Sequence, residues 1–176
     1  MSNTPNWAVG KSTEQIQAGM EARFASGNAY NITIPWDQMR HEALVEAITG
    51  LMDDPDGKGP GYFPGREAST ILDMCCGAGG TVAFIPEHAH PRFTGVEIAP
   101  TAVKQAQAAY PKATFICSPA ERYTPSRAFD LVNCIEAIEH WPDVHTPGIL
   151  ASIKRAMGPD SRLVMSTPNR DSLHIR

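Results

Sequence analysis

Residues 71–80 read ILDMCCGAGG, and this stretch decides the fold. It opens with apolar residues suited to a buried strand, carries an acid at Asp73, and closes on Gly77, Gly79 and Gly80 with nothing larger than alanine among them. A strand that runs into a glycine-rich turn and then a helix brings backbone N–H groups close to whatever sits above the sheet. Glycine permits that approach because it lacks a Cβ and tolerates positive φ. About 20 residues after the turn, at the end of a second apolar run, stands Glu97, where a ribose-binding acid belongs in such a fold.

Downstream of this stretch the chain alternates between apolar runs and helical segments. Strands are predicted at 71–75, 92–98, 113–117, 129–135 and 162–166. A short helix over 81–85 is closed by Pro86, one opened by Pro100 runs to Tyr110, and a third lies at 147–157. FDLVNCI, residues 129–135, is a near-continuous apolar run of the kind a doubly covered parallel strand needs. The alternation predicts an open, mostly parallel α/β sheet with helices on both faces.

Upstream, residues 1–11 read as a tail. A first helix is capped by Ser12 or Thr13, with Ile16, Met20 and Phe24 four apart on one face, and ends at Gly27 and Asn28. A second helix follows from Pro35, with Trp36, Met39, Ala43, Ala47 and Leu51 along one stripe. Residues 53–66, DDPDGKGPGYFPGR, hold three prolines and four glycines and read as a loop. Tyr62 and Phe63 pin that loop onto the body or close over a ligand. Residues 1–66 are thus a cap or flank of a single domain whose core is 67–176.

At 176 residues the chain is long enough for one domain with its own core, and 42% hydrophobic with 19% charged residues is ordinary for a soluble globular protein. A net charge of −4 gives no general pull toward nucleic acid. No apolar run approaches membrane-span length, and the N-terminus lacks a signal-peptide pattern, so a cytoplasmic location is expected. The spacing of Cys75, Cys76, Cys117 and Cys134 fits neither a zinc motif nor a disulfide framework, and all four read as reduced packing residues.

The order of motifs over residues 68–170 resembles the Rossmann-like, class I S-adenosylmethionine-dependent methyltransferases. LDMCCGAGG is similar to that family's glycine-rich motif, departing from it at Cys75, where glycine is commoner. GVEIAPTAV resembles the second motif, FDLVNCIEAIEHWPD the fourth-strand motif, and RLVMSTPNR the fifth strand and its turn. A nicotinamide fingerprint would need a third small residue after Gly79, and position 82 is valine. The resemblance implies a cofactor site of Asp73, Cys75, Cys76, Gly77, Gly79, Glu97, Ile98, Ser118, Ala120, Glu121 and Ile135. Glu97 would take both ribose hydroxyls, and the backbone around residues 76–79 the amino-acid end. Residues 118–121 would meet the adenine, although the family's usual aspartate is absent there.

Glu136, Glu139 and His140 follow the fourth strand directly, on the ligand side of such a sheet. If a helix starts there, all three share one face. Their spacing is similar to that in the ubiquinone-pathway O-methyltransferases and the small-RNA 3′-terminal 2′-O-methyltransferases, where the resemblance implies a divalent metal that polarises the acceptor hydroxyl. A fourth ligand of the RNA enzymes has no match in His145 or His174. Without a metal, His140 is the candidate base, or the block is structural. The expectation is an S-adenosylmethionine-dependent O-methyltransferase acting on a small molecule, with an apolar or aromatic acceptor suggested by Tyr30, Trp36, Met39, Tyr62 and Phe63. The family's sheet has seven strands and this chain ends just past the fifth. That leaves room for a fragment, for an oligomer or partner chain completing the sheet edge, and for a truncated, non-catalytic module.

Overall fold

The computed structural model describes residues 11–26, 69–85 and 87–167. The predicted second helix, the Gly/Pro-rich loop and the residues Tyr30, Trp36, Met39, Tyr62, Phe63 and His174 lie outside the described residues.

Five strands form one parallel sheet: β1 (Ile71–Met74), β2 (Phe93–Glu97), β3 (Thr114–Cys117), β4 (Phe129–Ile135) and β5 (Met157–Ser166), in the order β3-β2-β1-β4-β5. Among the described residues three α-helices accompany them: α1 (Thr13–Ala25), α2 (Pro100–Ala109) and α3 (Thr146–Arg155). The order turns back at β1, which pairs with β2 on one side and β4 on the other, so the crevice above its C-terminal end is where an open α/β sheet takes ligands.

Alternation along the strands splits the core. Leu72 and Met74 of β1 join Val132, Cys134 and the α3 residues Ile149 and Ile153 in one cluster. Ile71 joins Phe93, Leu131 and the α2 residues Val103 and Ala106 in another. Each helix thus covers its own part of the core, and each fully buried Ile or Leu contributes roughly 1.5–3 kcal/mol. β4 sits between two strands and is buried along nearly its whole length, as its apolar run predicts.

Ser12, not Thr13, caps α1: its hydroxyl accepts from the Gln15 N–H, while the Gln15 side chain accepts from the Ser12 N–H at 2.9 Å. The helix ends at Ala25 with Ser26 as its cap. The predicted helix after the glycine-rich turn is a 3-10 turn, Gly80–Phe84, and a second one, Glu87–Arg92, leads into β2 without having been predicted. β5 starts earlier than predicted. Phe129 pairs with Met157 and Leu131 with Arg162, so residues 158–161 bulge out, with the Gly158 N–H donating to Ser161 Oγ at 2.7 Å. Pro159 is tolerated there because it lies in the bulge. All four cysteines are free. Cys76 and Cys134 are buried packing residues and Cys75 is half-buried, but Cys117 is exposed because it ends an edge strand. No helix among the described residues is long and apolar enough to cross a membrane.

Candidate functional site

A cavity of about 360 Å³ opens over the C-terminal ends of the strands. Its floor is the glycine-rich turn. Gly77 and Gly79 have φ of 55° and 84°, and the Cys76 N–H donates to Val96 O at 3.1 Å, tying the turn to β2. Cys75 also lies in the left-handed region, at φ 63°. The reason glycine is favoured at this position is therefore conformation more than size, and the strain of a side chain there costs roughly 1–2 kcal/mol. Gly79 does not line the cavity. A Cβ on it would come within 3.2–3.3 Å of the Tyr110 ring and the Ala106 methyl, so the turn packs closely on α2 at this point.

Glu97 is 3% exposed and holds the turn from the side. Its Oε2 accepts from the Gly77 N–H at 3.0 Å and its Oε1 from the Ala99 N–H at 2.9 Å. Burial pushes its carboxyl above the usual range, against the pull of these backbone donors. Asp73, buried beneath the turn, is raised from 3.8 to about 7 by burial, with Thr81 as an opposing hydrogen-bond donor and the Glu97 charge as a smaller raising influence. Its Oδ2 has no hydrogen-bond partner. Asn133 stands beside it in register on β4, fully buried, and its amide atoms also lack partners.

The other predicted residues arrive as expected from their strand ends. Ile98 follows β2, Ser118, Ala120 and Glu121 follow β3, and Ile135 closes β4; all of them line the cavity with Asp73, Cys75, Cys76, Gly77 and Glu97. The Ser118 N–H donates to Glu97 O at 2.9 Å and its hydroxyl to Pro119 O at 3.1 Å.

The segment after β4 differs from expectation. No α-helix starts at Glu136: this residue has φ 50°, and a 3-10 turn begins only at Ile138. Glu136, Glu139 and His140 therefore do not share a helical face. Glu136 is tied to β5, its N–H donating to Ser166 O at 3.0 Å and its Oε1 accepting from Ser166 Oγ at 2.8 Å. Glu139 Oε2 accepts from Thr167 Oγ1 at 3.2 Å and does not line the cavity. Among the described residues no group of three His, Cys, Asp or Glu could hold a metal ion, so the predicted divalent-metal triad is corrected: Glu139 lies off the cavity that Glu136 and His140 line. His140 does line the cavity, with Nε2 3.9 Å from Glu139 Oε1. Burial, and secondarily the Arg23 guanidinium, hold its pKa below the ordinary imidazole value, which favours the neutral ring.

Sequence reasoning missed the roof. Thr13, Ile16, Met20, Arg23 and Phe24 of α1 line the cavity. The helix is anchored at both ends: Thr13 Oγ1 donates to Glu121 Oε1 at 2.8 Å, the Thr101 N–H to Glu21 Oε2 at 2.8 Å, and Phe24 packs with Ala99 and Ala102. The Ile16–Met20–Phe24 stripe was legible as an apolar face, but nothing local says what it covers. His145, also on the cavity wall, was missed as well.

Comparison with known proteins agrees with this geometry. The model of a methyltransferase-domain family matches residues 71–160, just over half of the chain. A curated relative, the phthiotriol/phenolphthiotriol dimycocerosates methyltransferase of Mycobacterium leprae, is 32% identical over 97 residues, which are 53% of this chain and 35% of that protein. The chain thus matches about a third of that relative's length. Among solved structures, the N-methyltransferase NodS of Bradyrhizobium japonicum with S-adenosyl-L-homocysteine superposes with a TM-score of 0.67 at 16% identity, over 85% of this chain and 71% of that one. DhpI in complex with S-adenosylhomocysteine gives 0.64 at 16% identity, over 87% and 67%. At such identities these likenesses speak for the fold. The chain belongs to the methyltransferase-domain family and has the Rossmann-like, class I fold of the S-adenosylmethionine-dependent methyltransferases.

Proposed function

We propose that this chain transfers a methyl group from S-adenosylmethionine to an oxygen of a small-molecule acceptor. The observation that carries the reading is that the Gly77 turn, the buried Glu97 carboxylate and a neutral His140 face one cavity. Glu97 would accept from the ribose hydroxyls, and backbone N–H groups of the turn would meet the amino-acid end. The bound cofactor supplies an electrophilic methyl group on a sulfonium. Ile16, Met20, Ile98, Ile135 and Trp141 provide apolar walls that exclude water and align the partners, and alignment of this kind supplies several kcal/mol of barrier reduction. His140 takes the acceptor's proton: its depressed pKa keeps the lone pair available through neutrality. The Mycobacterium leprae relative is named for methylating phthiotriol and phenolphthiotriol dimycocerosates, esters of hydroxyl-bearing parents, which supports an oxygen acceptor.

The test is incubation with methyl-labelled S-adenosylmethionine and a panel of phenols, aliphatic alcohols and amines, alongside calorimetry with S-adenosylhomocysteine. Label should pass to hydroxyl compounds, and His140→Gln should lower the rate by about 10²–10⁴-fold while leaving cofactor affinity in place. Transfer to amines alone would overturn the oxygen assignment. Cofactor binding without transfer to any acceptor would favour a binding module, and no binding would overturn the reading altogether.

A further inference from the structure

α1 lies over the cavity with its two flanks turned to different parts of the fold. Ile16, Met20 and Phe24 line the space beneath it, and Glu21 on one flank accepts from the Thr101 N–H at 2.8 Å, which fastens the helix to α2. Arg23 follows Glu21 by two residues, roughly 200° around the helix, and so stands on the opposite flank. It is half-buried, lines the cavity, and its charge reaches His140 in the segment after β4. Arg23 therefore serves the side of the cavity on which the acceptor gives up its proton.

Among the described residues that line the cavity, Arg23 carries the one fixed positive charge, against the acids Asp73, Glu97, Glu121 and Glu136. Those acids have work of their own. Glu97 accepts from the Gly77 and Ala99 N–H groups, Glu121 from the Thr13 hydroxyl and Glu136 from Ser166, while Asp73 is raised by burial to about 7. The walls are otherwise largely apolar, with Ile16, Met20, Ile135 and Trp141. A guanidinium covered by a bound ligand loses water, an anion offsets that cost, and a planar carboxylate matches its paired N–H donors. We propose that Arg23 selects the acceptor by binding a carboxylate that an otherwise apolar molecule carries beside its reacting hydroxyl. This rests on the oxygen-acceptor reading above and names its substrate class, an apolar hydroxy acid. The same anion improves the base. Arg23 disfavours the imidazolium of His140, and a carboxylate bound to the guanidinium offsets that charge as the proton arrives.

The test is methyl transfer by the full chain from labelled S-adenosylmethionine to matched pairs: the ortho, meta and para hydroxybenzoates, each against the hydroxybenzamide of the same pattern. Wild type should favour at least one carboxylate over its amide in kcat/KM by about tenfold or more, as a charge-assisted pair gives. Arg23→Gln should level that pair, chiefly by raising KM for the carboxylate, while affinity for S-adenosylhomocysteine in calorimetry stays in place. Arg23→Lys, which keeps the charge without the paired donors, should retain part of the preference and shows that levelling is not a loss of fold. Equal kcat/KM within every pair in wild type, or a preference that survives Arg23→Gln, overturns the role of Arg23 and leaves O-methyl transfer standing. A fall in S-adenosylhomocysteine affinity in Arg23→Gln overturns it as well, because the cation would then serve the cofactor. Transfer to no hydroxyl compound at all overturns both readings.

Discussion

The two halves of the cavity floor are built in opposite ways. Over β1 and β2 the turn is held by short-range backbone geometry and one carboxylate, with Gly77 and Cys76 both tied to β2 or the residue that ends it. Over β4 and β5 the chain is held by side chains reaching across 28–30 residues, Glu136 to Ser166 and Glu139 to Thr167. In the first half the donors are backbone N–H groups, which reach β2 across 20 residues. The second takes its shape from where β5 happens to end. A motif of the first kind can be read from residues alone, whereas one of the second kind gives residue types without an arrangement.

The comparison can be broken first through Asp73. Its carboxyl is raised from 3.8 to about 7, so between about pH 4 and 7 the folded chain keeps a proton that the unfolded chain has lost. Stability therefore falls as pH rises through this window, by up to about 4 kcal/mol from this group, and Glu97, also raised, pulls the same way. Asp73→Asn should flatten much of that decline in urea denaturation followed from pH 4 to 7.5. A decline as steep as in wild type would show that the floor is not where the buried charge is stored.

Next in size is Glu97→Ala, which removes both backbone bonds and the ribose acceptor. Affinity for S-adenosylhomocysteine should drop about a hundredfold by calorimetry, as expected for the loss of charged hydrogen bonds. Equal affinity would place the cofactor elsewhere. Gly95→Ala is a purely steric probe of the same half. Its Cβ would stand 2.6 Å from Cys76 Sγ and 2.7 Å from Phe115 Cδ1, and overpacking should cost about 1–3 kcal/mol in thermal denaturation. A variant as stable as wild type would show that the turn yields more readily than its bonding implies. The finest probe acts on the other half: Arg23→Gln removes a positive charge that disfavours the imidazolium of His140. The histidine's titration, followed by NMR, should move up in pH, and an unmoved titration would mean that burial alone sets it.

Much of this was legible because it is local. The strand-turn pattern at 71–80 and the apolar run at 129–135 carry their conformations in their residues, and Glu97 sits where a β-α-β unit puts an acid. One reading failed for want of long-range information. Glu136, Glu139 and His140 have spacing that suits one helical face, but the chain leaves β4 through a left-handed residue, and no spacing rule foresees that. Gly79 lies off the cavity lining, and both its φ of 84° and the Tyr110 ring at the end of α2 disfavour a side chain there.

By itself, the sequence determined the parallel sheet, the glycine-rich floor and the acid beside it, because periodicity, glycine placement and strand-end spacing act over a few residues. Only the tertiary structure decided that α1 roofs the cavity, that its Thr13 meets Glu121, and that the carboxylates after β4 part company. Thr13 and Glu121 are 108 residues apart, and contacts at such separations depend on how whole elements pack rather than on any local preference.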